Sequence, residues 1–153
     1  MDYAEGRMGR VFAARLHHGE PVYQAIEKLC MQENVRSGLA VLLGGAKRAT
    51  VVTGPKSTSG PIEPRLQEFD DAREMIALGT VYDSDEGPKL HLHAGFGRDD
   101  EALVGCPRYG LDTYLIVEAF IVEVTGIDAR RLPDPATGLR LLAFGEARRV
   151  ELP

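Results

Sequence analysis

The sequence predicts an α+β fold in which a mainly antiparallel central sheet of about seven strands is accompanied by one main helix. Three observations carry that reading. The apolar runs are strand-sized, one segment has clear helical periodicity, and the strand-like segments follow one another without regularly alternating helices. A chain of 153 residues can bury one sizeable core but not two comfortable ones, and no stretch reads as a linker. Residues 1–153 are therefore expected to form a single domain.

From Gly9 to Leu16 the side chains alternate, with Val11, Ala13 and Arg15 on one face and Phe12, Ala14 and Leu16 on the other, as in a strand that His17-His18-Gly19 ends. Pro21 suits the first turn of a helix. Val22, Ile26, Leu29 and Cys30 then recur at helical spacing, which predicts an amphipathic helix of roughly four turns ending near Asn34. Leu39–Leu43 and Ala49–Thr53 read as two short strands joined tightly through Gly44-Gly45-Ala46-Lys47, where glycine permits close backbone approach. The stretch from Gly54 to Asp71 contains Pro55, Gly60, Pro61 and Pro64 and is expected to be a loop without regular structure. Glu74–Tyr82 and Pro88–Phe96 flank the turn-forming run Asp83-Ser84-Asp85-Glu86-Gly87 and predict a hairpin. Thr113–Val124 is dense in β-branched and aromatic residues, and Leu139–Phe144 and Ala147–Leu152 add two more strands around Gly145. Such a sheet has an exposed edge, which oligomerisation would cover.

Composition excludes several classes of function. No apolar run is long enough to span a bilayer, so no membrane role is expected. The first ten residues include Asp2 and Glu5 and lack the apolar stretch of a secretory signal, which points to the cytoplasm. A net charge of −5, from 18 basic and 23 acidic residues, gives no general attraction to a phosphate backbone. DNA binding would need a local patch, for which Lys47-Arg48, Arg130-Arg131 and Arg148-Arg149 are the short candidates. Two cysteines, Cys30 and Cys106, make no disulfide framework, and each reads separately as a core thiol or a thiolate ligand.

The residues richest in chemistry lie in Pro88–Phe96. Leu90, Leu92, Ala94 and Phe96 point one way along this strand, and His91 and His93 the other. Two imidazoles one residue apart are separated by two rises of about 3.3 Å, so both can lean onto one ion. The same pair is also compatible with a plain polar strand face. Cys106, in Gly105-Cys106-Pro107, is the candidate third ligand, although a lone cysteine is more commonly a buried thiol. Two nitrogens and a sulfur suit zinc, with iron or cobalt as alternatives, and are a poor match for magnesium or calcium. Three protein donors would leave a fourth position to water or a small molecule. Cys30, on the apolar side of the helix, is expected to be core. Glu118, between Ile116 and Phe120 on a face that reads as buried, is a candidate catalytic base or a structural partner of Arg15. Arg108 is placed to hold an anion over the metal or to be solvated. His17 and His18 read as surface residues.

Taken in order, Arg10-Val11-Phe12-Ala13-Ala14-Arg15-Leu16, Gly19-Glu20, Leu43-Gly44-Gly45-Ala46, Glu74-Met75-Ile76-Ala77-Leu78-Gly79 and His91-Leu92-His93-Ala94 resemble the plants-and-prokaryotes conserved domain family over nearly the whole chain. The resemblance implies a compact antiparallel sheet with few helices, assembled as a homotrimer with metal sites near subunit contacts. In many members the third metal position is a histidine in a Gly-Gly-His segment. Here the stretch reads Val104-Gly105-Cys106-Pro107, and Gly105 to Gly110 is similar to a bacterial branch in which cysteine takes that place. Plant members add an AT-hook of the Arg-Gly-Arg-Pro type, which this sequence lacks. The leading expectation is a metal-binding trimer, with zinc as the cofactor and an open position for a small-molecule or anionic ligand. A DNA-associated regulator without an AT-hook and a trimeric interaction scaffold, reaching partners through the loop from Pro55 to Pro64, are the alternatives. Whether the protein is an enzyme is left open, and no substrate is indicated.

Overall fold

The computed structural model describes residues 1–60 and 62–151. Its strands are β1 (Asp2–Tyr3), β2 (Arg7–His17), β3 (Ser37–Pro55), β4 (Pro64–Phe69), β5 (Arg73–Tyr82), β6 (Lys89–Arg98), β7 (Glu101–Gly105), β8 (Leu111–Thr125), β9 (Ala129–Pro133), β10 (Arg140–Phe144) and β11 (Arg148–Arg149). One helix, α1 (Val22–Gln32), is present among the described residues. Seven strands make one antiparallel sheet in the order β2-β8-β3-β5-β6-β7, with β4 pairing onto β3. The expected α+β architecture is therefore observed. Two small ribbons, β1-β11 and β9-β10, stand outside this sheet.

The core lies on one face of the sheet only. Alternation along each strand sends Ala40 and Leu42, Met75 and Ala77, Leu90, Leu92, Ala94 and Phe96, and Val117, Ala119 and Ile121 to that face. Helix α1 covers it with Val22, Ile26 and Cys30, all no more than 1% exposed. Burying a side chain the size of Ile26 contributes about 1.5–3 kcal/mol. Cys30 is a core thiol as expected, and burial pushes it up to about 11. Pro21 stands at the N-cap, and the helix closes with Val35 N–H donating to the Cys30 carbonyl at 2.8 Å.

Several sequence expectations are corrected. The segments 39–43 and 49–53 are one continuous strand, β3, rather than two. Gly44 and Gly45 do not turn the chain. They sit where a Cβ would strike the Ile116 and Tyr114 carbonyls of β8, at a bulge that shifts the register between them. The breaker-rich stretch carries a strand, β4, that begins at Pro64 on the sheet's periphery, where a missing N–H costs least. Phe69 at its end packs on Phe96 with ring centroids 4.9 Å apart. Pro61, counted among those breakers, lies outside the described residues. Of the expected strand Ala147–Leu152, Arg148–Arg149 pair with β1, and Leu152 lies outside the described residues. β10 is observed, but in a ribbon with β9.

The β5–β6 hairpin forms as expected, with Ser84 and Gly87 exchanging backbone hydrogen bonds of 3.0 and 3.2 Å and Gly87 at φ 92°. The next hairpin positions the site. Arg98 pairs with Glu101 across the two residues Asp99-Asp100, with Asp99 at φ 53°, a conformation that short polar residues tolerate. It brings β7 back along β6 until Gly105 faces Ala94.

Candidate metal centre

His91 and His93 are on β6, on the face opposite Leu90 and Leu92, as alternation requires. Their rings lie 5.1 Å apart at 78°. Cys106 is one residue beyond the Ala94–Gly105 pair, which sets it beside His93. Its backbone is fixed to the third strand in: Cys106 N–H donates to the Val52 carbonyl at 2.9 Å, and Val52 N–H donates to the Cys106 carbonyl at 2.8 Å. Gly105 makes this approach attainable, because a Cβ there would collide with the Val52 carbonyl oxygen and come within 2.7 Å of Val51 Cγ1.

One donor atom from each of His91, His93 and Cys106 lies within 4.8 Å of the others. A tetrahedral zinc with bonds of about 2.0–2.3 Å needs donor separations of roughly 3.3–3.6 Å. Small side-chain rotations close that difference. Burial, followed by the charges of Arg131, His93 and Arg108, pushes His91 down to about 4, so its imidazole is neutral near pH 7 with a lone pair available. Cys106 is 6% exposed, which shields a thiolate–metal bond from solvent. The donor set fits one borderline-soft ion.

Arg108 is exposed, carries no ion pair among the described residues and lines a cavity of about 700 Å³ together with His91 and Cys106. Glu118 is not brought to this site. It is on the same open face as the histidines, but the register Glu118–Leu43–Ile76–Gly95 puts three strand spacings between them, roughly 14 Å. The expectation that it is buried is corrected: Glu118 is exposed, because the covered face of β8 holds Val117, Ala119 and Ile121. Arg15 faces it across β2 and β8 without forming an ion pair. His17 and His18 are exposed as expected, although His18 Nδ1 accepts from the Leu115 N–H at 3.1 Å.

Sequence reasoning missed two residues of this cavity. Tyr23 reaches it from α1 and Arg131 from β9. Arg131 was visible as half of a basic pair, a pattern that by itself suggests a phosphate contact. Tyr23 carried no signal beyond its place on the helix.

An antiparallel sheet with a cluster of His-His-Cys donor atoms at its β6–β7 edge defines a small strand-rich protein with a candidate metal site. Residues 3–125 match the Plants and Prokaryotes Conserved (PCC) domain, and the chain belongs to that family. Among solved structures, a metal-containing protein from Archaeoglobus fulgidus is 23% identical, with a TM-score of 0.82 over 94% of this chain and 99% of that one. A plant- and prokaryote-conserved protein from Pyrococcus horikoshii is 21% identical, with a TM-score of 0.81 over 99% of this chain and 100% of that one. A "putative DNA-binding protein" from Ralstonia eutropha is 21% identical, with a TM-score of 0.72 over 86% and 90% of the two chains. At these identities the likeness is one of fold. No curated protein matches the chain.

Proposed function

We propose that this protein binds one zinc-class ion through His91, His93 and Cys106 and presents an open coordination position to a small molecule. The observation that carries the reading is the convergence of the three donor atoms within 4.8 Å. When bound, such an ion supplies Lewis acidity at its fourth position. The chain's own residues hold the donors in place through the β6 ladder and the Val52 bridge, and Arg108 adds positive charge at the rim. Iron or cobalt would suit the same donors. The metal-containing protein of the same fold from Archaeoglobus fulgidus is consistent with the reading.

Assembly through the open face of the sheet is part of the proposal, as the homotrimer that family resemblance implies. That face exposes Leu39, Leu43, Ile76, Leu78 and Phe120, between 38% and 76% each, a continuous apolar surface of a kind that isolated soluble proteins rarely keep. His93 opens onto it, so the metal would sit beside the subunit contact. Among the described residues no helix is long and apolar enough to cross a membrane. A cytoplasmic setting would keep Cys106 reduced.

The alternative of DNA binding has weaker support. Of the basic pairs, Arg48 is tied to Asp112 at 2.6 Å, Arg130 to Asp85 at 3.8 Å, Arg148 to Glu5 at 3.1 Å and Arg149 to Asp2 at 3.0 Å. Four of the six basic side chains in these pairs are thus engaged with carboxylates, which leaves Lys47 and Arg131 rather than a basic patch to meet a phosphate backbone.

Elemental analysis of untagged protein tests the metal reading. We expect about one zinc-class ion per chain, from the one donor cluster among the described residues, and loss of it in His91→Ala, His93→Ala and Cys106→Ser. Native protein that takes up no zinc, cobalt or iron would overturn it.

A further inference from the structure

The metal donors form one wall of a larger chamber. The cavity of about 700 Å³ is half-open and is bordered by Tyr23 of α1 and by the β9-β10 ribbon with its turn, which contribute Arg131, Leu139, Leu141 and Leu142. That ribbon lies beyond residues 3–125, the part matched to the PCC domain. It is held in place: Arg131 N–H donates to the Asp83 carbonyl at 2.8 Å, and the Asp134 carboxylate caps its turn through the Thr137 N–H at 3.0 Å.

Hydrogen-bond accounting singles this chamber out. Among the described residues three buried side-chain polar atoms have no hydrogen-bond partner within ordinary geometry, and two of them, Arg131 Nε and the Tyr23 hydroxyl, which lies against the Cys106 thiol, belong to residues lining it. A buried donor left without an acceptor costs about 1–3 kcal/mol, so a turn of either side chain that brought its donor to an acceptor in the cavity would be favoured. Arg131 is oriented by its Nη2 donating to Thr80 Oγ1 at 3.1 Å and by its place over the Tyr82 ring, 5.7 Å from the centroid. Neither contact neutralises it, and no carboxylate does so among the described residues. The other cations around the cavity differ: Lys89 pairs with Glu27 and Glu86, and Arg140 shares Asp85 with Arg130. Arg131 and Arg108 are thus the two cations of this lining with no carboxylate partner among the described residues. Of the leucines at the cavity, Leu142, the cross-strand neighbour of Arg131, is 37% exposed, Leu141 is 43% exposed and Leu139 is half-buried.

We propose that this chamber is a binding site for an organic oxyanion, a small molecule with a carboxylate or phosphate head and an apolar body. The head pairs with the Arg131 and Arg108 guanidinium groups, accepts from Arg131 Nε and the Tyr23 hydroxyl once those side chains turn toward it, and reaches the metal's open position. The body lies along Leu139, Leu141 and Leu142. The proposal rests on the metal reading for the head's third contact only. Arg131, Tyr23 and the leucine wall stand without it. The ribbon's role is selection: it supplies the anion-binding guanidinium and the apolar lining to a metal centre built by the family domain.

The test uses full-length protein in metal-free and cobalt-loaded forms, titrated with acetate, hexanoate, hexyl phosphate and inorganic phosphate. Calorimetry reads binding, and the cobalt absorption bands read coordination. Hexanoate or hexyl phosphate should bind saturably, tighter than acetate or inorganic phosphate by about fourfold for each methylene buried on the leucines, from about 0.8 kcal/mol per group. The carboxylate and phosphate arms identify the head. In Arg131→Gln the affinity should fall about 10- to 100-fold, the worth of one charge-assisted hydrogen bond, while the thiolate-to-cobalt band of Cys106 persists. Tyr23→Phe, which keeps the packing, should weaken binding by a smaller factor, and Arg65→Gln, remote and exposed, should leave it unchanged. Loss of cobalt uptake with Arg131-dependent binding retained in metal-free protein would remove the metal reading and keep the oxyanion site. Binding of equal strength in Arg131→Gln, or no binding of any probe to native protein in either form, would overturn the proposal.

Discussion

Replacing Gly105 by alanine tests whether the close approach of β7 to β3 is what sets the third donor. The added Cβ meets the Val52 carbonyl oxygen and comes within 2.7 Å of Val51 Cγ1, a side chain with no exposed surface. Backbone cannot rotate away as a flexible side chain can, so β7 must lift from β3. Lifting it strains or breaks the two hydrogen bonds that tie Cys106 to Val52, at 2.8 and 2.9 Å. Overpacking costs about 1–3 kcal/mol and each of the two hydrogen bonds contributes about 1 kcal/mol, so a loss of roughly 3–5 kcal/mol in unfolding free energy is expected if both break. Cys106 moves with the strand, and metal affinity should fall by an order of magnitude or more in the same variant. Gly97→Ala, also at the β6–β7 hairpin, is the matched control, because nothing lies within 4 Å of its added Cβ. Denaturant unfolding and competitive metal titration on both variants give the answer. Gly105→Ala with native stability and native affinity would refute the account of how Cys106 is placed.

Other consequences are more direct. Ile26→Ala, at a site 1% exposed, should cost about 2–5 kcal/mol in urea unfolding without changing the metal content. Leu43→Asp and Ile76→Asp alter residues 49% and 76% exposed, so they should leave the isolated fold intact, and sedimentation should show the proposed trimer of native protein replaced by monomer; a monomeric native protein would refute the assembly reading. The Arg10 side chain, with its hydrogen bond at 2.8 Å, and then the Arg10 backbone N–H hold Glu123 down at about 2. A depressed carboxylate contributes stability above its unfolded value that is lost as pH falls. Acid titration should therefore show a loss between about pH 4.5 and 2 that Glu123→Gln diminishes.

Much of the fold was legible because one-sided burial writes itself as alternation. β2, β5, β6, β8 and α1 all carry that signature, and Leu90–Leu92–Ala94–Phe96 against His91–His93 gave both the strand and the direction of its donors. What could not be read depended on partners distant in sequence. Gly44-Gly45 resembles a turn until β8 supplies the carbonyls that need the space. β4 starts at a proline that only an outlying strand tolerates. Glu118 followed a row of apolar residues, Ile116 and Phe120, that covers no core, and alternation cannot say which of two faces is dry. At the site, Cys106 was legible as a ligand type, while its distance from the histidines was set by a hairpin the sequence had not announced. Arg131 illustrates the same limit: a basic pair identifies charge, and only the ribbon's docking on β5 shows where that charge is spent.

The way the three donors are held bears on what the metal is for. None of them belongs to the core cluster, and each is on backbone already fixed without metal: His91 and His93 by ladder pairing with Thr80 and Leu78, Cys106 by its bridge to Val52. Ligands held in advance lose little conformational freedom when the ion arrives. On the proposed reading the sheet would gain correspondingly little stability from it, in contrast to small metal-folded domains whose loops have no other constraint. Three donors rather than four then have a consistent explanation. A centre whose work was to clamp the fold would complete its own coordination shell. The centre proposed here would leave a place open beside a cavity lined by an uncompensated arginine, which is the arrangement expected where the metal's partner comes from outside.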